Sequence, residues 1–593
     1  MSLSASYAEK RVDEEKLDAP FSTYTESGTS RGFSFQTLTE ALDHAARGQS
    51  GLNFYSDRLE LASVLSYRDL RESALSLARR FRSCGLRLGD RVALVADTTP
   101  DFVIAFAACQ YGGLIPVALP LPLAFGGRSG YAMHVHHMME GADVSAVIAP
   151  DWVMPLLRDA VEGLNLAFYG TMEKLRNAPE TPMDLHLVHP EALSYLQFSS
   201  GSTRSPTPIG ITHRALMSNT RAIVTDGLEV RAGDRAVSWL PFYHDMGLVG
   251  FLLAPIVAQL SVDYLATRDF VRRPLTWLRL IDRNHGTISY SPSFGYELCA
   301  KRVANGQTER LDLSSWRVAG IGGDMIRSRP LEAFKRAFAG SGFKAESFVP
   351  SYGLAETTLA VSFCGLGRGI RIDRVDRGHL ERERRAVPAG DGNTDAHEFV
   401  VCGSVLPDHK VQIRDEEGHP LGERRVGKIF VRGPSLMTSV NHPAADIAAT
   451  LDTGGWLNTG DLGYFVDGEL VITGRAKDVI IINGRNLWPQ DLEYSVEQVP
   501  GVRPGDVAAF GVESQETHEE RVVVLLQCRI ADSALRHELV RNVTASLSKN
   551  HGVSATVVPV PHNALPMTSS GKLRRRDARK AYLAGEFGSE AAQ

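Results

Sequence analysis

The residues best suited to chemistry form a short segment directly after an apolar run that begins at Leu196. The segment reads Ser199, Ser200, Gly201, Ser202, Thr203 and Arg204. Small hydroxyl side chains and a glycine let backbone N–H groups and hydroxyls approach phosphate oxygens closely. The segment is not a Walker loop, because no Gly-Lys-Ser/Thr follows it. Taken alone, it is equally typical of a flexible linker rich in serine and glycine.

Further polar and glycine-rich motifs follow in order along the chain. They are Trp239-Leu-Pro-Phe-Tyr-His-Asp-Met-Gly-Leu, Gly322-Gly-Asp, Ser351-Tyr-Gly-Leu-Ala-Glu-Thr-Thr, Asn458-Thr-Gly-Asp-Leu-Gly, Gly474-Arg-Ala-Lys-Asp and Thr568-Ser-Ser-Gly-Lys. With the first segment, this ordered set resembles the adenylate-forming superfamily of acyl-CoA synthetases, luciferases and peptide-synthetase adenylation domains. The resemblance covers residues 55–580.

Within that superfamily the chain is most similar to the fatty acyl-AMP ligases. Arg204 stands where CoA ligases usually have a glycine, and the histidine motif reads Tyr243-His-Asp-Met-Gly-Leu. Two further segments match the pattern: Ser291-Pro-Ser-Phe-Gly-Tyr-Glu-Leu-Cys-Ala and Gly484-Arg-Asn-Leu-Trp-Pro-Gln-Asp-Leu-Glu. The extra length at 364–400 lies where these ligases carry their family insertion.

The resemblance implies roles in binding ATP and Mg²⁺. The segment from Ser199 to Arg204 would wrap the phosphates, with Arg204 as a cationic clamp. Glu356 and Thr203 would hold Mg²⁺, a hard cation that prefers oxygen ligands. The adenine would stack on Tyr352 and be lined by Gly322, Gly323, Asp324, Ser351, Gly353 and Ala355. Asp461 would accept hydrogen bonds from the ribose, with Arg475 beside it.

The remaining roles concern the acid and the transition state. Lys572 would neutralise charge on the α-phosphate and carboxylate, and His244 would lie where the carboxylate enters. Each assignment has a plainer alternative: Tyr352 as a core tyrosine, Glu356 as a capping group, His244 as a structural histidine. Lys572 also precedes a run of basic residues that resembles a solvated charged surface: Arg574, Arg575, Arg576, Arg579 and Lys580.

Two departures from the family pattern affect the nucleotide site. Related enzymes commonly have Pro-Lys-Gly after the phosphate segment, whereas this chain has Pro206-Thr207-Pro208. The missing lysine removes one mobile phosphate contact, for which Arg204 would compensate. Gly322-Gly-Asp-Met stands where Gly-Ala-Glu-Pro is common. The neighbouring His134, His136 and His137 have poor spacing for a metal site on a helix.

The elements that must position these motifs alternate between helix and strand. Apolar spacing predicts a helix over 67–84, a buried strand over 91–96, a second helix over 101–111 and a strand over 114–118. This rhythm continues to about residue 363 and indicates α/β layers with largely parallel sheets. Short alternating strands after residue 400 predict a small β-rich subdomain. We therefore expect an α/β fold with a smaller, mobile α+β C-terminal domain.

Domain boundaries follow from the same patterns. The 593 residues divide into a large ATP- and acyl-binding domain over 1–474, a hinge over 475–478 centred on Lys477, and a lid over 479–593. The insertion at 364–400 either docks between the domains, meets an acidic carrier protein through its arginines, or remains a solvated loop. Residues 1–35 are polar and predict a loose lead-in.

Composition limits the possible classes of protein. A 43% hydrophobic and 22% charged composition is typical of a globular protein, and 64 basic against 69 acidic residues gives a net charge of −5. That balance gives no overall attraction to nucleic acid or an anionic membrane. Six scattered cysteines, without an apolar signal segment or membrane span, predict a reduced, cytoplasmic protein. Nothing in the sequence indicates an oligomeric state.

The predicted activity is the ATP-dependent conversion of a fatty acid to an acyl-adenylate with release of pyrophosphate. The resemblance implies transfer of the acyl group to the phosphopantetheine thiol of an acyl carrier protein, in lipid or polyketide-type biosynthesis. Apolar segments 248–258 and 289–299 suit a hydrocarbon tunnel and suit a core equally well. The alternatives are an acyl- or aryl-CoA ligase, and a non-catalytic module that binds adenylates or a carrier protein.

Overall fold

The computed structural model describes residues 35–122, 128–182, 188–198, 207–304, 310–390, 392–393, 396–438, 440, 451–482, 484–503, 505–513, 520–567 and 573–587. Within these ranges no helix has both the length and the apolar character needed to cross a bilayer.

Helices in the described ranges cover both halves of the chain. They are α1 (Leu38–Ala45), α2 (Tyr67–Ser83), α3 (Pro100–Gly112), α4 (Arg128–Gly141), α5 (Met154–Leu157), α6 (Met172–Arg176), α7 (His213–Ala222), α8 (Asp245–Leu248), α9 (Ala254–Ala258), α10 (Thr267–Arg272), α11 (Leu275–Asn284), α12 (Ser293–Ala304), α13 (Ser328–Phe338), α14 (Arg377–Glu383), α15 (Pro489–Glu497), α16 (Ser533–His551) and α17 (Arg575–Leu583).

The strands mostly alternate with these helices until residue 363, and strands are more numerous than helices after it. They are β1 (Gly51–Tyr55), β2 (Leu61–Ser66), β3 (Arg91–Val95), β4 (Ile115–Leu119), β5 (Ala146–Ile148), β6 (Phe168–Gly170), β7 (Leu193–Phe198), β8 (Pro208–Thr212), β9 (Ala236–Ser238), β10 (Val262–Leu265), β11 (Ile288–Ser291), β12 (Val318–Ile321), β13 (Phe348–Gly353), β14 (Ala360–Phe363), β15 (Ile372–Asp376), β16 (Ala396–Val400), β17 (Ser404–Val405), β18 (Lys410–Arg414), β19 (Gly427–Arg432), β20 (Leu457–Val466), β21 (Glu469–Arg475), β22 (Ile480–Ile482), β23 (Arg485–Leu487), β24 (Val507–Glu513), β25 (Glu520–Gln527) and β26 (Ala555–Val560).

Two large, mostly parallel sheets form the body of the protein. One has nine strands in the order β17-β14-β13-β12-β11-β9-β10-β1-β2, and the other has six in the order β6-β5-β3-β4-β7-β8. A four-stranded antiparallel sheet, β18 to β21, follows them in the chain. The predicted α/β fold and the β-rich subdomain are confirmed.

Helix α2 shows how the sequence sets a local element. Ser66 caps its first turn, since the Ser66 hydroxyl accepts from the Asp69 N–H at 2.9 Å and donates to the Asp69 carboxylate at 2.7 Å. Side chains three or four residues apart form its buried face, which includes Leu70, Leu77 and Phe81. That face contacts α3, which is buried along most of its length because it lies between elements of the core.

The parallel strands place the motifs along one edge. In the nine-stranded sheet, β9, β11, β12 and β13 run parallel, so their carboxyl ends meet at the same edge. The histidine motif follows β9, the glycine motif follows β12, and Tyr352 is the last residue but one of β13. Ligands of open α/β sheets bind at this kind of edge.

The C-terminal part has its own apolar core. A three-stranded sheet, β24-β25-β26, packs against α15 and α16 through residues that include Leu492, Val524 and Leu547. A short turn, Ala476–Asp478, connects this part to the end of β21. The turn coincides with the predicted hinge.

Candidate active site

A single large cleft collects most of the described candidate residues. Its volume is about 1830 Å³, and it lies at the strand edge between the large sheets and the C-terminal part. The wall includes His244, Gly322, Gly323, Asp324, Ser351, Tyr352, Gly353, Ala355, Glu356, Asp461 and Arg475. Motif residues that are far apart in the sequence therefore line one cleft.

Tyr352 and Asp461 are directly linked. The Tyr352 hydroxyl donates to Asp461 Oδ2 at 2.7 Å, and Arg475 Nε lies 3.7 Å from Asp461 Oδ1. Register explains the second contact, since Asp461 and Arg475 are opposite each other on β20 and β21. Burial, and then the charge of Asp461, raises the pKa of Tyr352 well above its usual value, so the phenol stays protonated and donates.

The glycines of the wall allow close approach of backbone. A Cβ on Gly353 would lie 1.8 Å from the Leu359 carbonyl oxygen, so only glycine fits beside Tyr352. Gly323 has φ +80°, a conformation that favours glycine, and Met246 lies 3.3 Å from where its Cβ would be. This geometry leaves backbone groups of 322–324 accessible to a flat ligand.

Glu356 follows β13 on a tight turn, Ala355–Thr357. The turn is secured by Thr358, which has φ +71° and donates from Oγ1 to the Ser435 carbonyl at 2.8 Å. Burial raises the pKa of Glu356, and the negative charges of Asp245 and Asp461 raise it further, while Arg475 opposes them. A carboxylate held near other carboxylates attracts a divalent cation.

Asp245 is a cleft residue to which the sequence analysis gave no role. Its carboxylate lies 2.6 Å from His244 Nδ1 and accepts from the Met246 N–H at 2.7 Å. It also acts electrostatically on Glu356. The signal was present in the sequence, because Asp245 follows His244 in the same motif, but a pattern does not show which of two adjacent polar side chains faces the cleft.

Some predicted residues lie outside the described residues. These are Ser199, Ser200, Gly201, Ser202, Thr203, Arg204 and Lys572. Their described neighbours Phe198, Met567 and Leu573 line the cleft. The roles predicted for the phosphate segment and for the lysine therefore stay predictions.

Comparison with known proteins identifies the family of this chain. The sequence pattern of the AMP-binding enzymes matches residues 42–439. The chain belongs to this family of enzymes.

Similar proteins cover nearly its whole length. A Caulobacter vibrioides protein, provisionally named an acyl-CoA synthetase, is 50% identical over 565 residues, 94% of this chain and 97% of that protein. JamA, a medium-chain-fatty-acid–[acyl-carrier-protein] ligase of Moorena producens, is 30% identical over 575 residues, 93% of this chain and 96% of the ligase. A solved structure from work on fatty acyl-adenylate ligases of E. coli and L. pneumophila has a TM-score of 0.88 at 45% identity, covering 93% of this chain and 99% of that chain. The chain is an adenylate-forming ligase, and such enzymes use ATP.

One part of the ligase's cleft is apolar. Its wall includes Ile223, Leu228, Phe251, Phe363, Val400 and Cys402. Tyr290 lies between this region and the polar wall. The centre of its ring is 6.1 Å from that of Phe251 and 6.4 Å from that of Phe363, and the ring packs against Gly320 of β12. Two π-helical segments, Ile223–Gly227 and Val249–Leu253, border it. Such segments are common at functional sites.

The arginine-rich insertion of this AMP-binding enzyme is folded. Strands β15 and β16 pair and enclose α14 between them in the chain. Glu381 of α14 is 5% exposed and pairs with Arg485 of β23 at 2.7 Å, while Asn486 Nδ2 donates to the Glu381 carbonyl at 2.7 Å. Arg377 Nη1 donates to the Asn550 carbonyl at 2.9 Å. The insertion therefore contacts the C-terminal part through a half-buried ion pair, and it is not a solvated loop.

Most arginines of the insertion also bind within this chain. The pairs are Arg368 with Glu469, Arg371 with Asp467, Arg374 with Glu398, Arg384 with Glu416 and Arg385 with Glu383. Each of these arginines has a carboxylate partner in the same chain, but its side chain stays partly exposed, so contact with an acidic partner stays a prediction.

Proposed function

We propose that this ligase activates a fatty acid as an acyl-adenylate and then passes the acyl group to the phosphopantetheine thiol of an acyl carrier protein. The observation that carries the proposal is the continuity of the apolar wall around Phe251 and Phe363 with the polar wall around Tyr352 and Glu356. One cleft thus offers both a site for a hydrocarbon chain and a site for a nucleotide.

In the first step, a carboxylate oxygen of the acid attacks the α-phosphorus of ATP. A new P–O bond forms, the bond from that phosphorus to the bridging oxygen breaks, and pyrophosphate leaves. Tyr352 stacks on the adenine, and Asp461 accepts from the ribose hydroxyls. The backbone of 322–324 lines the base, and His244 lies at the entry of the carboxylate. Positioning and charge neutralisation supply the acceleration.

Glu356 is the described residue best suited to hold Mg²⁺. It lies in the cleft, where the negative charges of Asp245 and Asp461 repel its own charge. A hard divalent cation bound there would offset this repulsion. Thr203 is the second predicted ligand. When bound, Mg²⁺ would neutralise charge on the phosphates.

In the second step, the thiol sulfur attacks the acyl carbon, the bond from that carbon to the phosphate oxygen breaks, and AMP leaves. We assign residues 1–474 to the body, 475–478 to a hinge and 479–593 to a lid that closes over the reactive anhydride. The similarity to JamA supports a carrier protein as acceptor.

An acyl-CoA ligase is the second candidate, because the Caulobacter relative bears that name. The deciding experiment incubates the enzyme with ATP, Mg²⁺ and acids of increasing chain length, and measures acid-dependent pyrophosphate release. Free CoA and a phosphopantetheinylated carrier protein are then offered as acceptors. Robust acyl-CoA formation would replace the carrier-protein assignment, and an absence of pyrophosphate release with every acid would contradict adenylate formation.

A further inference from the structure

Arg575 forms an ion-pair cluster with two carboxylates beside the cleft. Its Nε and Nη2 atoms each lie 2.7 Å from one oxygen of the Glu493 carboxylate, and its Nη1 lies 3.2 Å from Asp478 Oδ2. Glu493 is 4% exposed and also accepts from the Ala509 N–H at 3.1 Å. A planar guanidinium that binds a carboxylate with two parallel bonds is fixed in direction as well as in place.

The second partner of Arg575 belongs to the hinge turn. Asp478 is the last residue of Ala476–Asp478, and Arg475 precedes the turn. Arg475 faces Asp461 in the nucleotide wall, whereas Asp478 faces Arg575 in the C-terminal part. The residue before the turn and the last residue of the turn therefore form ion pairs on different sides of the cleft. A backbone rotation within the turn would move one ion pair relative to the other.

Arg575 also stands at the base of the segment that contains Lys572. Met567 and Leu573, which flank 568–572, form an antiparallel bridge, and the Arg574 N–H donates to the Pro566 carbonyl at 2.9 Å. Met567, Leu573 and Arg575 all line the cleft. The backbone on both sides of 568–572 is therefore held together, and the Arg575 fork anchors it to α15 and to the hinge.

We propose that Arg575 is a positioning residue for adenylate formation, which holds the C-terminal part against hinge residue Asp478 through its contacts with Glu493 and Asp478. The proposal rests on the proposed function, because it concerns the step in which the acid attacks ATP. Arg575 itself touches no reacting atom. It acts by holding one relative orientation of hinge and C-terminal part, so its loss impairs the first step and spares the transfer of an acyl group that is already activated.

The test separates the two half-reactions in the full-length enzyme. Acid-dependent ATP–pyrophosphate exchange reports the first, and consumption of synthetic acyl-adenylate with a thiol acceptor reports the second. For Arg575→Ala we expect exchange to fall by at least about 30-fold through lost positioning, with the second half-reaction within about threefold of wild type. Arg575→Lys, which keeps the charge but not the fork, should recover part of the exchange rate.

Two further variants guard against simple misfolding. Asp478→Asn leaves the Arg575–Glu493 pair intact, and we expect it to lower exchange about threefold or more through the loss of the hinge ion pair. Arg579→Ala, at an exposed position of the same helix, should match wild type.

The outcomes are distinct. Equal losses in both half-reactions, or unchanged exchange in Arg575→Lys and Asp478→Asn, would overturn the positioning role. Failure of the proposed function would show in the wild-type enzyme, as exchange that no fatty acid stimulates.

Discussion

The hydroxyl of Tyr352 and the carboxylate of Asp461 form a 2.7 Å hydrogen bond between two different sheets. Tyr352 lies on β13 of the nine-stranded sheet, and Asp461 lies on β20 of the antiparallel sheet. The bond therefore links the ring that we propose stacks on the adenine to the carboxylate that we propose binds the ribose. On that proposal, nucleotide binding depends on the relative placement of two sheets as well as on two side chains.

Removing the hydroxyl tests that coupling. Tyr352→Phe keeps the ring but loses a hydrogen bond to a charged acceptor, which contributes about 1.5 kcal/mol, so we expect the KM for ATP to rise roughly tenfold. Tyr464→Phe is the matched control, because Tyr464 donates to Asp373 at the same 2.7 Å outside the cleft. It should lower the melting temperature and leave the KM for ATP unchanged. Equal effects of both variants on KM would contradict the assignment.

Acidification should reduce activity through Glu356. A metal ligand must be ionised, and burial raises the pKa of this carboxyl. Its protonation therefore begins at a higher pH than for an exposed glutamate, and kcat/KM for ATP should fall as pH is lowered through that raised pKa. Added Mg²⁺ should shift the fall to lower pH, since it competes with the proton.

Substitution separates this effect from general acid sensitivity. Glu356→Gln should lower kcat/KM by about 100-fold and remove the dependence on Mg²⁺ concentration. Glu332→Gln, an exposed carboxylate paired with Lys335, should behave as wild type. An unchanged Mg²⁺ dependence in Glu356→Gln would exclude this residue as a ligand.

His551, which lies beside Arg377 of the insertion, makes the stability of the fold depend on pH. His551 is 6% exposed, and burial, followed by the charges of Arg377, His397 and Arg485, lowers its pKa to about 4. The unfolded chain binds this proton near pH 6.5, so the stabilisation is complete above 6.5 and is lost as pH falls towards 4. The shift corresponds to about 3 kcal/mol.

Unfolding measurements check the sign of that effect. The free energy of unfolding of wild type minus that of His551→Gln should shrink between pH 7 and pH 4.5. A constant difference for His551→Gln would show that its protonation is not coupled to folding.

A side chain at Gly250 should shorten the accepted acyl chain. Gly250 lines the cleft, and a Cβ there would lie 3.3 Å from Leu359 Cδ2. Gly250→Val fills space in the apolar region, so pyrophosphate release should shift towards acids several carbons shorter, while the KM for ATP stays constant. Gly250→Ala should give a smaller shift in the same direction. A profile that does not change with chain length would place the acyl group elsewhere.

Sequence patterns predicted the helix α2, the strand β3 and the grouping of Tyr352, Glu356 and Asp461 because each depends on local spacing or on an ordered motif. The π-helical turns at Ile223–Gly227 and Val249–Leu253 were not predictable, since they depend on how neighbouring helices pack.

Partners across long separations were also beyond the sequence. The sequence left three alternatives open for the insertion: docking between the domains, contact with an acidic partner, or a solvated loop. Only the structure shows Glu381 paired with Arg485 of the C-terminal part and Arg368 paired with Glu469. Asp245 was visible next to His244, but its place in the cleft and its electrostatic effect on Glu356 depend on tertiary structure. Tertiary placement, rather than residue type, decides these contacts.

The six free thiols make the enzyme a ready subject for spectroscopic distance measurement. Cys109, Cys299, Cys364 and Cys402 are buried, and burial raises the pKa of each, so they react slowly with maleimide dyes. Cys84 and Cys528 are only half-buried, one before the hinge turn and one after it. Native labelling at these two positions would place a donor and an acceptor fluorophore on opposite sides of residues 475–478. A change in energy transfer on adding ATP and acid would report the proposed movement of the lid without an engineered cysteine.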